Sequence, residues 1–209
     1  IKMIQNKALE LSLFLSIPAT IALIIGSEQI ISALFGYGSF DETSVNNSGL
    51  ALYYFSLGLP AFAFIKVFSS FFFANHDTKT PFYISLISVM LNIMISLYYF
   101  NQVGFIIIPI ATSISSWFNS ILLFLFLKNR SLFFFNEIFF INFIKIILAS
   151  ILMGLFFNFL LIFFQNELAF NNDIKSLYLI VSVILGLLFY LFICYLIKAF
   201  KMSDIKLKY

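Results

Sequence analysis

Charge, cysteine and histidine are scarce in this chain of 209 residues. Only 10% of its residues are charged, and it has one cysteine (Cys194) and one histidine (His76). A lone cysteine excludes an internal disulfide, and together with a lone histidine it excludes a zinc cage of the His/Cys type. The net charge of +3 is small, and the basic residues are not interleaved with aromatics in a patch, which argues against nucleic-acid binding. No Ser-His-Asp set, carboxylate pair or glycine-rich phosphate loop is present, so an enzyme reading has nothing to stand on. The first apolar segment has no small-residue cleavage site and does not read as a signal peptide. The chain opens on Ile1 rather than Met, which leads us to expect a portion of a longer polypeptide.

Apolar side chains are abundant instead. Hydrophobic residues make up 62% of the sequence, and mean hydropathy is +1.06. A soluble domain is nearer half apolar and a quarter charged, and a core of this size cannot hide the excess. The excess must face lipid. Six runs are long enough to span a bilayer as helices, which takes roughly 20 residues. They are Leu9–Gly26, Gly49–Ala74, Phe82–Phe100, Phe105–Leu127, Ile138–Phe164 and Leu177–Ile197. Their length and lack of alternation favour helices over barrel strands. The predicted architecture is an all-α integral membrane protein of six transmembrane helices.

Between the runs, "SEQIISALF" and "RSLFFFNEIFF" read as interfacial stretches. In "GYGSFDETSVNN", Gly36 and Gly38 offer a turn, and Asp41 or Thr43 a helix cap. "NHDTKTP" and "NQVG" are tight links between antiparallel neighbours, and "QNELAFNNDIKS" reads as a polar, exposed loop. Six spans put both ends on one side. Lys2, Lys7, Lys79, Lys128, Arg130, Lys198, Lys201, Lys206 and Lys208 fall on that side, and only Lys175 on the other. That asymmetry makes both ends cytoplasmic.

Ionisable residues within spans are costly and so mark candidate functional positions. Glu10 opens the first span three residues after Lys7, so it is either an ion-paired residue at headgroup level or a working acid. Lys66 lies about 13 Å along the helix from Asn75. It either snorkels to the cytoplasmic headgroups or faces a cavity that receives an anion. Lys145 reads as a snorkelling lysine. Asn92 is mid-span, and Ser113, Ser115, Ser116 and Asn119 recur near one helical turn, as helix-packing residues do. Pro18, Pro60 and Pro109 are expected to kink their spans.

The stretch "GLPAFAFIKVFSSFFFANHDTKTPFYISLISVMLN" (58–92) closely resembles the MurJ (MviN) lipid II flippases of the MOP flippase/exporter superfamily. It matches the family pattern at Gly58, Leu59, Pro60, Lys66, Val67, Asp77, Thr78, Thr80 and Pro81. "NKALELSLFLSIPATIAL", "ALFGYGSFD" and "GFIIIPIATSISSWFNSILL" resemble further family segments in the same order, over about residues 5–130. The resemblance implies the C-terminal part of a two-lobed, fourteen-span transporter. Such proteins move undecaprenyl-pyrophosphate-linked peptidoglycan precursor across the bacterial inner membrane by alternating access. Residues 1–130 would be four helices of the C-terminal lobe, and 131–209 two helices lining a groove for the lipid tail, with a cytoplasmic tail. The implied partners are the bilayer, the polyprenyl-pyrophosphate-linked glycolipid and the N-terminal lobe of the same protein. No cofactor is implied; coupling to membrane potential or to an ion is open. Glu10 stands near a position where some members carry arginine, so a pyrophosphate role does not transfer to it. With Asn92 and Asn119, Glu10 and Lys66 are the cavity candidates, and Asp77, Thr78, Thr80 and Pro81 are the cytoplasmic signature loop. The alternatives are another exporter of the superfamily, for a polysaccharide-linked lipid or a drug, and a membrane assembly subunit that transports nothing.

Overall fold

Long apolar runs satisfy their backbone groups internally as helices, and the computed structural model of the protein, which describes residues 2–198, is built of helices joined by short turns and loops. The expected cytoplasmic tail, with Lys201, Lys206 and Lys208, lies outside the described residues. Seven α-helices follow in order: α1 Lys2–Phe35, α2 Glu42–Ser56, α3 Leu59–Ala74, α4 Lys79–Val103, α5 Ile107–Asn129, α6 Glu137–Phe163 and α7 Lys175–Leu196. Among the described residues four stretches are long and apolar enough to cross a membrane, or five if the bent pair α2–α3 is one span. One of the four, Lys79–Asn129, contains both α4 and α5, which fold back on each other through the short turn Gly104–Ile106. Gly104 makes that reversal with φ +73°, a conformation suited to glycine.

α1 is the central helix, packed against α2, α3, α6 and α7. Two apolar clusters lie along it. One joins Leu9 and Leu13 to Phe68 and Phe72 of α3, Leu123 and Leu127 of α5, and Phe133 and Phe139. The other joins Ala33 to Met153 and Phe157 of α6 and to Leu179 and Tyr190 of α7. α4 is the outermost helix, buried only at Pro81, Ile84 and Ser88 and packed chiefly on α5. Large apolar side chains face outward on every side, from Leu15 to Leu97, Leu155 and Tyr195. In a membrane these meet lipid or further protein, not water.

The local expectations are met in part, and one, the kink at Pro109, is corrected. α1 is kinked at Gly26 (φ −106°, ψ 17°), so "SEQIISALF" is a second helical segment that runs on from the kink to Phe35. "RSLFFFNEIFF" also contributes to the core: Phe133 is 1% exposed, among the rings of Phe68, Phe71 and Phe124. The span around Pro60 is bent as expected, through a break of about 40° between α2 and α3, with Pro60 at the start of α3. Pro109 falls in the first turn of α5, where its missing N–H costs nothing. Pro18 is within α1 and has no N–H to return to the Phe14 carbonyl four residues back. The Tyr190 hydroxyl of α7 donates to that carbonyl at 2.8 Å.

Candidate functional site

The signature loop between α3 and α4 is built around one carboxylate. Asp77 Oδ1 accepts from the Thr80 backbone N–H (3.0 Å) and Oδ2 from the Thr80 hydroxyl (2.6 Å), capping α4. Pro81 follows, buried in the first turn. Arg130, just past α5, donates to Asp77 Oδ2 and to the Thr80 hydroxyl (3.1 Å), with its guanidinium 5.8 Å from the Phe72 ring centre. The Thr80 hydroxyl and N–H, then Arg130, hold the Asp77 carboxyl well below the usual carboxylate range. Thr78 makes no side-chain cap, and His76 is exposed with φ +58°. The loop therefore joins α3, α4 and α5 at one end of the bundle. Arg130, which sequence marks only as a charge, completes it.

At the same end, Asn6 of α1 donates to the Phe134 carbonyl (3.0 Å) and accepts from the Asn136 N–H, while Gln5 donates to the Leu132 carbonyl. Glu10 is 7% exposed, with Lys7 Nζ 4.0 Å from its carboxylate. Lys145 donates to the Lys198 carbonyl (3.3 Å). Lys66 points elsewhere. It is exposed on a face of α3 shared with Phe62, Ser70 and Phe73, and no hydrogen bond or ion pair to its ammonium occurs among the described residues.

Asn92 and Asn119 belong to a polar seam between α4 and α5. Asn92 donates to the hydroxyls of Thr112 (3.0 Å) and Ser115 (3.3 Å), and Asn119 to Ser85 (3.4 Å). The Asn119 Oδ1 is buried without a hydrogen-bond partner among the described residues. Glu10 and Lys66 are not part of this seam, so the four cavity candidates do not form one constellation.

Two further sets of contacts have no counterpart in the sequence reading. At the α2–α3 break the Ser113 hydroxyl donates to the Tyr54 carbonyl and Trp117 Nε1 to the Leu57 carbonyl (3.0 Å). α5 thus supplies donors where the span is interrupted. A Cβ at Gly58 would lie 3.0 Å from Ser113 Oγ, so glycine permits this approach. At the end of the bundle away from Arg130, Gln165–Ser176 is exposed or partly exposed as expected, except at Leu168 and at Lys175, at the start of α7, which is 1% exposed. Its ammonium donates to the carbonyls of Gly36 and Phe170, both at 2.6 Å, and sits 4.4 and 4.6 Å from the ring centres of Tyr37 and Phe170. Beside it, Ser176 donates to the Ala33 carbonyl and shares a hydrogen bond with the Tyr37 hydroxyl, both at 2.6 Å. These contacts fasten the start of α7 to the end of α1.

Comparison with known proteins bears on this arrangement. The family model described as "Lipid II flippase MurJ" matches residues 1–180. A "Probable lipid II flippase MurJ" of Rickettsia prowazekii is 40% identical over 116 residues, 56% of this chain and 23% of that protein. Its namesake in Rhizobium meliloti is 40% identical over 121 residues, 58% of this chain and 23% of the relative. One in Buchnera aphidicola from Acyrthosiphon pisum is 34% identical over 152 residues, 71% and 29% respectively. The solved structure "Lipid II flippase MurJ, inward closed conformation" superposes with a TM-score of 0.74 and 25% identity, over 93% of this chain and 38% of that one. The matched region thus spans about a quarter of the length of these relatives. The chain belongs to the MurJ lipid II flippase family.

Proposed function

We propose that this chain is the C-terminal portion of a flippase that moves undecaprenyl-pyrophosphate-linked peptidoglycan precursor across the bacterial inner membrane by alternating access. The family match over residues 1–180 carries the reading, and the similarity of the helical arrangement to the solved flippase supports it. In this reading the chain is a transporter, not an enzyme, and its lobe works only against an N-terminal lobe of the same protein. It crosses the membrane six times: by α1, by the broken pair α2–α3, and by α4, α5, α6 and α7. Both ends are cytoplasmic, which the distribution of basic residues supports. The signature loop then lies on the cytoplasmic face, and the Lys175 cage on the opposite face. α6 and α7 flank a groove for the lipid tail, and no cofactor takes part; transport is driven by the membrane potential or a coupled ion.

Within this reading Lys66 is the cation that faces the transport cavity. Its exposure and lack of an anionic partner among the described residues support that role, because a charge at membrane depth is retained where it faces water, substrate or a partner. The Lys7–Glu10 pair is assigned a structural role, which disfavours a drug-exporter reading that needs a free intramembrane acid. The test is complementation by the full-length protein in cells depleted of their own flippase. Wild type is expected to restore growth, and Lys66→Ala to fail at equal membrane abundance. Failure of the wild type would overturn the substrate assignment. Full growth with Lys66→Ala would overturn the cavity role alone.

A further inference from the structure

We propose that α4 slides on α5 by one helical turn, and that Arg130 holds it in the observed register. The two helices form an antiparallel hairpin with polar rungs at helical spacing. On α4 the rungs are Ser85, Ser88, Asn92 and Ser96, and on α5 they are Thr112, Ser115 and Asn119. The bonds from Asn119 to Ser85 (3.4 Å) and from Asn92 to Thr112 (3.0 Å) fix the register. Counted from them, Ser88 is level with Ser116, and Ser96 with Ile108.

This register leaves a polar atom unmet at each end of the seam. Among the described residues, Asn119 Oδ1 and Ser96 Oγ are both buried without a hydrogen-bond partner, and Asn119 as a whole is 8% exposed. Turning the Asn119 amide over only exchanges which of its ends goes unmet. Ser88 and Thr112 bond back to carbonyls of their own helices, and Ser96 does not. Buried polar groups are rarely left so. An advance of α4 by one turn toward its own N-terminus, about 5.4 Å, meets both needs together. Ser96 comes level with Thr112, and Ser88 reaches Asn119. Asn92 passes to Ser115, to which it already donates at 3.3 Å. A slide the other way brings Pro81 to Asn119 and Gly104 to Ser96, and gives neither a side-chain partner.

Little else resists the advance. α4 is buried only at Pro81, Ile84 and Ser88 and packs chiefly on α5. Ile84, level with Ser120, moves toward Leu123 and Leu127 and stays within the same apolar cluster. At the hairpin turn a Cβ on Gly104 would meet nothing within 4 Å, so the turn has room to lengthen. The restraint is at the other end, where Arg130 grips Asp77 and Thr80. While that clasp holds, α4 and α5 move together, and a group that draws Arg130 away frees α4. The proposal does not rest on transport of any particular lipid.

Distances between paired nitroxide labels in the purified full-length protein test it. One pair is carried by Met94→Cys with Leu125→Cys, the other by Phe82→Cys with Ile108→Cys, all at exposed positions. The slide shortens the first distance and lengthens the second, each by about 5 Å. Arg130→Gln is expected to give a second population with both shifts. In that background Ser85→Ala, which removes the partner of Asn119 in the observed register, should raise the ratio of slid to unslid protein about threefold. Ser88→Ala, which removes its partner in the slid register, should lower the ratio by as much, as for one interhelical hydrogen bond in a membrane. Distances unchanged in Arg130→Gln and in its combination with Ser85→Ala would overturn the proposal. So would shifts of the same sign in the two pairs, or equal effects of Ser85→Ala and Ser88→Ala. Should Arg130→Gln fail to fold, Arg130→Lys, which keeps the charge and loses the forked grip, takes its place in the same series.

Discussion

Replacing Tyr190 by phenylalanine removes one hydroxyl and keeps the ring. In the wild type that hydroxyl donates to the Phe14 carbonyl at 2.8 Å, at a residue 2% exposed, and the rings of Phe14 and Tyr190 lie 5.2 Å apart. The phenylalanine side chain retains the ring contact, so the loss is confined to the hydroxyl's polar contacts, chiefly the bond to the Phe14 carbonyl and with it those to Ser150 and Cys194. A buried acceptor deprived of its partner costs about 1–3 kcal/mol, while interhelical hydrogen bonds within membranes average about 0.6 and reach about 1.7 kcal/mol. The expected destabilisation is about 1 kcal/mol, since Pro18 denies the carbonyl its usual N–H. Reversible unfolding of the full-length protein in mixed micelles reads this as a shift in the equilibrium. Pro18→Ala supplies the decisive control, because alanine at that position returns an N–H to the Phe14 carbonyl. Tyr190→Phe should then cost at least about 0.5 kcal/mol less in the Pro18→Ala background than in the wild type. Equal costs in the two backgrounds would refute the argument that the proline creates the need for the tyrosine.

Lys175→Met leaves the Gly36 and Phe170 carbonyls without their donor, and unfolding in micelles should show a loss of roughly 2–4 kcal/mol. Gly58→Ala should cost about 1–3 kcal/mol by forcing α5 from the α2–α3 break, and less when combined with Ser113→Ala. The folded-state pKa of Asp77 lies below its unfolded value, so its contribution to stability is full above about pH 4 and fades as pH falls further. Asp77→Asn should lower stability at pH 7 and flatten the acid limb of the stability–pH curve; an unchanged acid limb would contradict this.

The helices are legible in the sequence because lipid imposes long apolar runs, and the Asp77 cap because a cap is local, with donor and acceptor three residues apart. The Lys7–Glu10 pair is readable for the same reason. Arg130 is visible only as a charge, since its partner lies 53 positions away and nothing in either neighbourhood names the other. Lys175 misleads more thoroughly. Its surroundings are polar, yet its ammonium turns back onto main-chain carbonyls, acceptors that every residue carries and no sequence pattern marks. Ser113 reads as a packing residue, and the need for its hydroxyl arises from a break at which Pro60 only hints. Asn92 and Asn119 are legible as polar residues at depth, but that they share a seam with Thr112, Ser115 and Ser85 follows from the hairpin at Gly104.

The interruptions in the spans share a physical consequence. At two breaks in the helical ladder a neighbouring helix provides the donor: Tyr190 of α7 for the carbonyl freed by Pro18, and Ser113 and Trp117 of α5 for the carbonyls at the α2–α3 break. Such donors do more than compensate, because each ties the angle of its joint to the position of a second helix. The bend of about 40° between α2 and α3 cannot open or close without breaking the contacts to α5 or carrying α5 along. Arg130 couples the far end of α5 to the α3–α4 loop, so a displaced α5 also pulls on Asp77 and Thr80. α2–α3, α4 and α5 are thereby linked as one mechanical unit.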